Sequence, residues 1–223
     1  MNNETVAAFS CRVHKQRLSF PPVSESDTAV PAAGPPRVGP RPAVFLDRDG
    51  VINENLAGRY VEDWATFRFL PGAVEAVAAL KRAGYPVVVV TNQAGIAHGR
   101  FSADALEEIH RQMADALRAG GGGVDAVLHC PHHPQAGCDC RKPQPGMLRR
   151  AAERLDLDLA RSVLVGDHLT DLQAARAAGC RAILVLTGRG RDAAPLLAAD
   201  PDLAAVPVVA DLPAAVRLIL AAP

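Results

Sequence analysis

The chain has 223 residues, the size of one α/β domain or a little more, and 49% of them are hydrophobic, enough to bury a full core; global disorder and a disulfide-stapled mini-protein are excluded. Lys plus Arg (24) balance Asp plus Glu (24), so no excess charge points to nucleic acid or a membrane surface as partner, and an anionic ligand must be met by locally placed groups. No stretch approaches the roughly 20 apolar residues that span a bilayer, and the amino-terminal segment lacks a signal-peptide core, so a cytoplasmic protein is expected.

In chain order, residues 1–41 come first, with seven prolines between Pro21 and Pro42 and no period of 3.6 or 2; a disordered extension is expected there, and a folded domain over 42–223. From Ala43 onward short apolar runs alternate with helical patterns. Strands are predicted at Ala43–Leu46, Pro86–Val90, Val124–Leu128, Ser162–Val165 and Arg181–Leu186. Helices are predicted at Gly72–Ala83, at Ser102–Ala119 with Ser102 as N-cap, at Pro145–Leu155, and at Leu169–Ala178 before Gly179. Val206–Ala210 and Pro213–Leu220 add a last strand and helix. This βαβα order predicts an α/β fold with a doubly wound, Rossmann-like parallel sheet, whose ligands bind beyond the carboxyl ends of the strands.

Polar groups stand at three such strand ends. The first strand runs into Asp47-Arg48-Asp49-Gly50, where carboxylates two apart on extended backbone point the same way. Two close acids call for a shared proton or a divalent cation; the alternative is an ordinary acidic turn. The second strand ends in Thr91-Asn92-Gln93-Ala94-Gly95, whose hydroxyl and amides suit phosphate oxygens, or simply cap a connection. Asp167 ends the fourth strand, followed by His168, Thr170 and Asp171; Asp167 is either part of an all-oxygen Mg²⁺ site with Asp47, or a helix N-cap with Asp171 as a first-turn acid. Of the five cysteines, Cys130, Cys138 and Cys140 share one short segment with histidines, which favours a metal over a disulfide; Cys11 and Cys180 read as an incidental thiol and a small buried residue. His14, His98 and His110 read as solvated or helix-surface side chains, and Trp64 and Phe67 as an apolar anchor beneath a loop.

The segments FLDRDGVIN, VVVTNQAGIAHG, CPHHPQAGCDCRKPQPGM and VLVGDHLTDLQAA together resemble the haloacid dehalogenase superfamily, and within it the family of heptose-1,7-bisphosphate 7-phosphatases and their histidinol-phosphatase relatives, over about residues 42–221. The resemblance implies a capless Mg²⁺-dependent phosphatase of a small phosphosugar, acting through an aspartyl-phosphate, as a monomer. It implies Asp47 as nucleophile, Asp49 as acid and base, Thr91 and Lys142 stabilising the phosphoryl group, and Mg²⁺ held by Asp47, the Asp49 carbonyl and Asp167. Substrate contacts are expected from Asn92, Gln93, Ala94, Arg141 and His168, and from Gly58, Arg59 and Tyr60 on a flap over 53–60. His168 stands where relatives have lysine, and Ala94 where they often have serine. Cys130, His132, Cys138 and Cys140 form a Cys₃His set suited to a closed structural Zn²⁺ site, leading directly into Arg141 and Lys142. His132 is preferred to His129 and His133 because it matches the family position, and a Cys138–Cys140 disulfide would be strained. A different class, a receiver domain with a phospho-acceptor aspartate, does not need Asp49; a catalytically inert zinc-stabilised binding module does not need the full set of acids.

Overall fold

The computed structural model describes residues 39–56 and 58–221; the expected extension over 1–41 lies almost wholly outside the described residues, as do Cys11 and His14. Six strands, β1 (Val44–Leu46), β2 (Val87–Asn92), β3 (Ala126–Cys130), β4 (Val163–Gly166), β5 (Arg181–Val185) and β6 (Val208–Val209), pair in parallel in the order β3-β2-β1-β4-β5-β6. Helices α1 (Ala73–Arg82), α2 (Ala103–Ala119), α3 (Gly146–Leu155), α4 (Leu169–Ala178), α5 (Gly190–Ala193) and α6 (Leu212–Ala221) join and cover them. This is the expected doubly wound sheet.

The continuous apolar runs follow from burial on both faces. Val44, Leu46, Val87, Val89, Val163 and Val165 point into a core shared with residues of α1, α2 and α6. The alternate residues Phe45, Val88, Val90 and Leu164 point into a second core with α3 and α4. Each such side chain contributes about 1.5–3 kcal/mol relative to exposure, so neither face of the central strands tolerates a polar residue cheaply. Ser102 Oγ accepts from the backbone N–H of Ala105 at 3.1 Å, the predicted N-cap of α2, and Gly179 closes α4 at φ +80°.

Several boundaries differ from expectation. β2 continues through Thr91 and Asn92, and β3 runs to Cys130, because Thr91 pairs with His129 and Asn92 with Cys130 in the ladder; backbone pairing carries the strands past the end of their apolar runs. Arg41 already belongs to the domain: its N–H donates to Asp156 O at 3.1 Å, and its carbonyl accepts from Asp158 N at 2.9 Å. The helical turns at Gly190–Ala193, Ala194–Ala199, Trp64–Thr66 and Leu159–Arg161 are too short to show a period and were not expected. Among the described residues no helix is long and apolar enough to cross a membrane. β1 and β4 are adjacent where the strand order reverses, and loops over 47–72 and 131–145 stand at the carboxyl edge beside that point.

Candidate active site

The chain leaves β1 at Asp47 and turns at once. The Arg48 carbonyl accepts from the N–H groups of Val51, Ile52 and Asn53, at 3.3, 2.9 and 3.1 Å, and Gly50 sits at φ +89°. Thr187 Oγ1 donates to Gly50 O at 2.6 Å, tying this turn to the loop after β5. Glycine is required at 50 and 188 because a Cβ at either would lie 2.0 Å from Asp167 Oδ2. The two glycines thus leave open the space beside the Asp167 carboxylate, whose Oδ2 also accepts from Arg189 N at 2.8 Å.

Asp47, Asp167 and Asp171 offer carboxylate oxygens within 4.8 Å of one another, all on buried residues. The ammonium of Lys142, itself buried, lies 2.8 Å from Asp47 Oδ1 and 2.6 Å from Asp171 Oδ1, and donates to Val90 O at 2.8 Å. Three acids against one lysine leave an uncompensated negative charge away from water. Burial, opposed by Lys142 and reinforced by Asp171 and Asp167, pushes Asp47 up to about 8. Burial and the charge of Asp171 push Asp167 up to about 6. Burial would discharge Lys142, but Asp171 and Asp47 outweigh it and raise its pKa above the ordinary lysine value. An oxygen-lined, electronegative recess of this kind fits a small divalent cation such as Mg²⁺.

Asp49 is held differently. Its carboxylate accepts from Arg48 Nη2 on both oxygens at 3.0 Å, from Asn53 Nδ2 at 2.9 Å and from Gln93 Nε2 at 2.8 Å. Burial opposes ionisation, yet Arg48 and these hydrogen bonds overcome it and hold Asp49 below the ordinary carboxylate range. Gln93 Nε2 also donates to Thr91 Oγ1 at 2.9 Å, which leaves the threonine O–H to point toward the cleft. Asn92 uses both ends of its amide on Lys142: Nδ2 donates to the carbonyl at 3.0 Å, and Oδ1 accepts from the N–H at 3.1 Å.

These groups floor an open cleft of about 840 Å³, whose walls include Gly58, Arg59, Tyr60, Ala94, Arg141, His168 and Arg189. Arg141 Nη1 is buried there with no hydrogen-bond partner among the described residues. Of the expected substrate contacts, Gln93 is turned onto Asp49 and Thr91, and the Asn92 amide is spent on the Lys142 backbone. The alternative to metal binding, that Asp167 caps α4, does not hold: His168 is the N-cap, its Nδ1 accepting from Thr170 N, while Asp171 Oδ2 accepts from His168 N at 3.0 Å.

Beyond β3, the ligand atoms of Cys130, His132, Cys138 and Cys140 gather. Cys130 Sγ lies 3.5 Å from His132 Nδ1 and 3.6 Å from Cys138 Sγ, and Cys140 Sγ lies 3.2 Å from His132 Nδ1 and 3.4 Å from Cys138 Sγ. Zn–S near 2.3 Å and Zn–N near 2.0–2.1 Å imply tetrahedral edges of about 3.5–3.8 Å, so the spacing fits a four-ligand zinc site. The three cysteines are free thiols, and so is Cys180, buried as expected. His133 is turned aside, its ring 4.9 Å from that of the exposed His98. Trp64 stacks on Phe67 at 4.8 Å over the core, the expected anchor.

Sequence reasoning passed over three participants and gave Asp171 only the part of a first-turn acid, which it also plays. Arg189 was hidden in a loop; Arg48 lay between the two acids without a role. His110 was read as a surface histidine and is buried against Arg48. It had a signal: it falls on the buried stripe of α2 with Leu106, Ile109, Met113 and Leu117.

A doubly wound sheet with aspartates converging from β1 and β4 defines the class. Residues 43–176 match the haloacid dehalogenase-like hydrolase family, to which the chain belongs, and residues 139–215 match a second HAD-hydrolase-like family. Among its relatives is the D-glycero-beta-D-manno-heptose-1,7-bisphosphate 7-phosphatase of Bordetella bronchiseptica, 49% identical over 148 residues, covering 66% of this chain and 82% of that protein. The protein of the same name from Salmonella typhi is 44% identical over 184 residues, covering 79% and 95%. A crystal structure of the B. bronchiseptica D,D-heptose 1,7-bisphosphate phosphatase, complexed with magnesium and phosphate, superposes with a TM-score of 0.75 at 45% identity, covering 80% of this chain and 98% of that one.

Proposed function

We propose that this hydrolase is a Mg²⁺-dependent phosphatase that removes the 7-phosphate of D-glycero-D-manno-heptose 1,7-bisphosphate through an aspartyl-phosphate on Asp47. The observation that carries the reaction is the convergence of Asp47, Asp49, Thr91, Lys142 and Asp167 on one recess; identity to proteins named for that substrate supports its choice.

Asp47 attacks phosphorus with a carboxylate oxygen; Lys142, 2.8 Å from Oδ1, favours the ionised form, which burial and the neighbouring acids oppose and which a cation in the recess would complete. The phosphorus–oxygen bond to the sugar breaks, and Asp49 delivers a proton to the leaving oxygen. Asp49 starts as a carboxylate, so it takes up that proton as the anionic substrate enters and adds negative charge beside it. Water then attacks the phosphoryl group, Asp49 accepts its proton, and the Asp47–phosphorus bond breaks to release phosphate. Lys142 and the Thr91 hydroxyl stabilise the charge on the transferring oxygens, and Asn92 fixes the backbone of Lys142. Asp47, Asp167 and the Asp49 carbonyl would hold Mg²⁺, which when bound neutralises charge and polarises a phosphoryl oxygen. Cys130, His132, Cys138 and Cys140 would hold Zn²⁺ with no position open, a structural role that orders the segment bearing Arg141 and Lys142.

Arg141, with a buried donor to spare, reads the second phosphate or the sugar oxygens. Charge-assisted hydrogen bonds are worth roughly 1.5–3 kcal/mol each, or about ten- to a hundredfold in selectivity. The test is kcat/KM for the heptose bisphosphate and for histidinol phosphate, with and without Mg²⁺, on the wild type, Arg141→Ala and Lys142→Ala. Arg141→Ala should erase most of the preference for the bisphosphate, and Lys142→Ala should depress both substrates. A wild type that prefers histidinol phosphate overturns the substrate assignment.

A further inference from the structure

Arg48 is fully buried, although it stands between two acids of the cleft. Alternation along the extended chain turns it away from the substrate side, and its guanidinium then reaches back to the neighbouring carboxylate. Nη2 lies 3.0 Å from each Asp49 oxygen, and Nε lies 3.3 Å from Oδ1. The remaining arm, Nη1, lies 3.1 Å from His110 Nε2, 62 positions further along the chain on α2. Arginine only donates, so His110 Nε2 is the acceptor, and the imidazole is neutral with its proton on Nδ1. Burial and the charge of Arg48 hold the pKa of His110 well below the ordinary histidine value, in keeping with that neutral form.

We propose that His110 is a positioning residue for the acid/base carboxylate: by accepting from Nη1 it fixes the plane of the buried Arg48 guanidinium, and that plane sets the angle at which Arg48 grips Asp49. The inference rests on the phosphatase reading, and on Asp49 protonating the leaving group within it. Without an acceptor at 110, Nη1 is an unpaired charged donor in the core, and the guanidinium rotates to find one. Asn53 and Gln93 still hold Asp49, so its orientation loosens without being lost.

The readout is a ratio of kcat/KM values, which report every step up to departure of the leaving group. An alkyl phosphate needs the proton from Asp49, whereas 4-nitrophenyl phosphate hardly does. His110→Phe should lower kcat/KM for the alkyl ester about tenfold more than for the nitrophenyl ester, a fraction of the full 10²–10⁴ that an acid contributes. His110→Gln, whose amide oxygen can accept from Nη1, should restore the ratio toward wild type. Thermal unfolding and zinc content check folding, and if His110→Phe does not fold, His110→Met reads the same ratio. Equal losses on the two esters, or a ratio for His110→Gln no better than for His110→Phe, would overturn the proposal. A wild type without Mg²⁺-dependent phosphate release would instead overturn the phosphatase reading beneath it.

Discussion

Removing Mg²⁺ should make the protein's stability fall as pH rises through neutrality, and restoring it should remove most of that fall. Without a cation, Asp47 titrates at about 8 when folded, against about 3.9 in an unfolded chain. The folded protein then carries a proton that the unfolded chain has lost. The resulting stability is fully present below the unfolded value and is lost as pH rises through the folded one. Asp167, at about 6, acts the same way lower down. His110, His129 and His168 have pKa values lowered by folding, so their effect runs in the opposite direction below about pH 6.5. The clean window is therefore about pH 6.5 to 8.5, across which one such carboxyl forfeits about 2 kcal/mol. For a domain of this size that is a fall of roughly 4–8 °C in Tm. The assay is thermal unfolding followed by circular dichroism after dialysis into Mg²⁺-free buffer without chelator, so that zinc is retained, and again with Mg²⁺ added. Asp47→Asn should abolish the slope in this window. A metal-free wild type whose Tm is flat or rising from pH 6.5 to 8.5, or an Asp47→Asn variant with the same fall, would refute the electrostatic reading of the recess.

Asp47→Asn should also reduce turnover to below about one per cent while keeping the fold and the metal content of the cysteine segment, since it deletes the proposed nucleophile and little packing; residual activity well above that would remove Asp47 from the role. Elemental analysis should find about one zinc per chain, and Cys138→Ser should lose it and raise the proteolytic sensitivity of residues 131–145; protein purified without chelator and free of zinc would defeat the assignment. Gly188→Ala should impair Mg²⁺-dependent activity strongly, because its Cβ would lie 2.0 Å from Asp167 Oδ2 at a φ of +53°; wild-type kcat/KM and Mg²⁺ dependence in that variant would show that the space beside Asp167 is not needed.

The two faces of the sheet were written plainly in the chain. Runs such as Val87–Val90 exclude a half-exposed strand, and the placement of Ser102 and Gly179 fixes helix ends locally, through hydrogen bonding and φ. The acids were legible because each follows directly on an apolar run. The Cys₃His cluster was legible because its four residues lie within eleven consecutive positions, Cys130–Cys140. Arg48 was not, since a charged side chain between two acids carries no mark in sequence of whether it faces water, and His110 was marked only by its place on the apolar stripe of α2.

By itself, then, the sequence determined the layered α/β fold, the strand ends that carry chemistry and the cysteine segment, because alternation, helical period and ligand spacing are properties of adjacent residues. Only the tertiary structure decided which groups compensate one another. Lys142 meets Asp47 and Asp171 because the loop after β3 returns over β2, clamped by Asn92. Asp49 is held low and Asp47 is pushed upward, although both belong to one short motif, because burial is outweighed at Asp49 by Arg48 and its hydrogen bonds, and at Asp47 is reinforced by Asp171 and Asp167 against Lys142. Those differences come from charges brought together across the fold, where water no longer screens them, and no spacing along the chain encodes them.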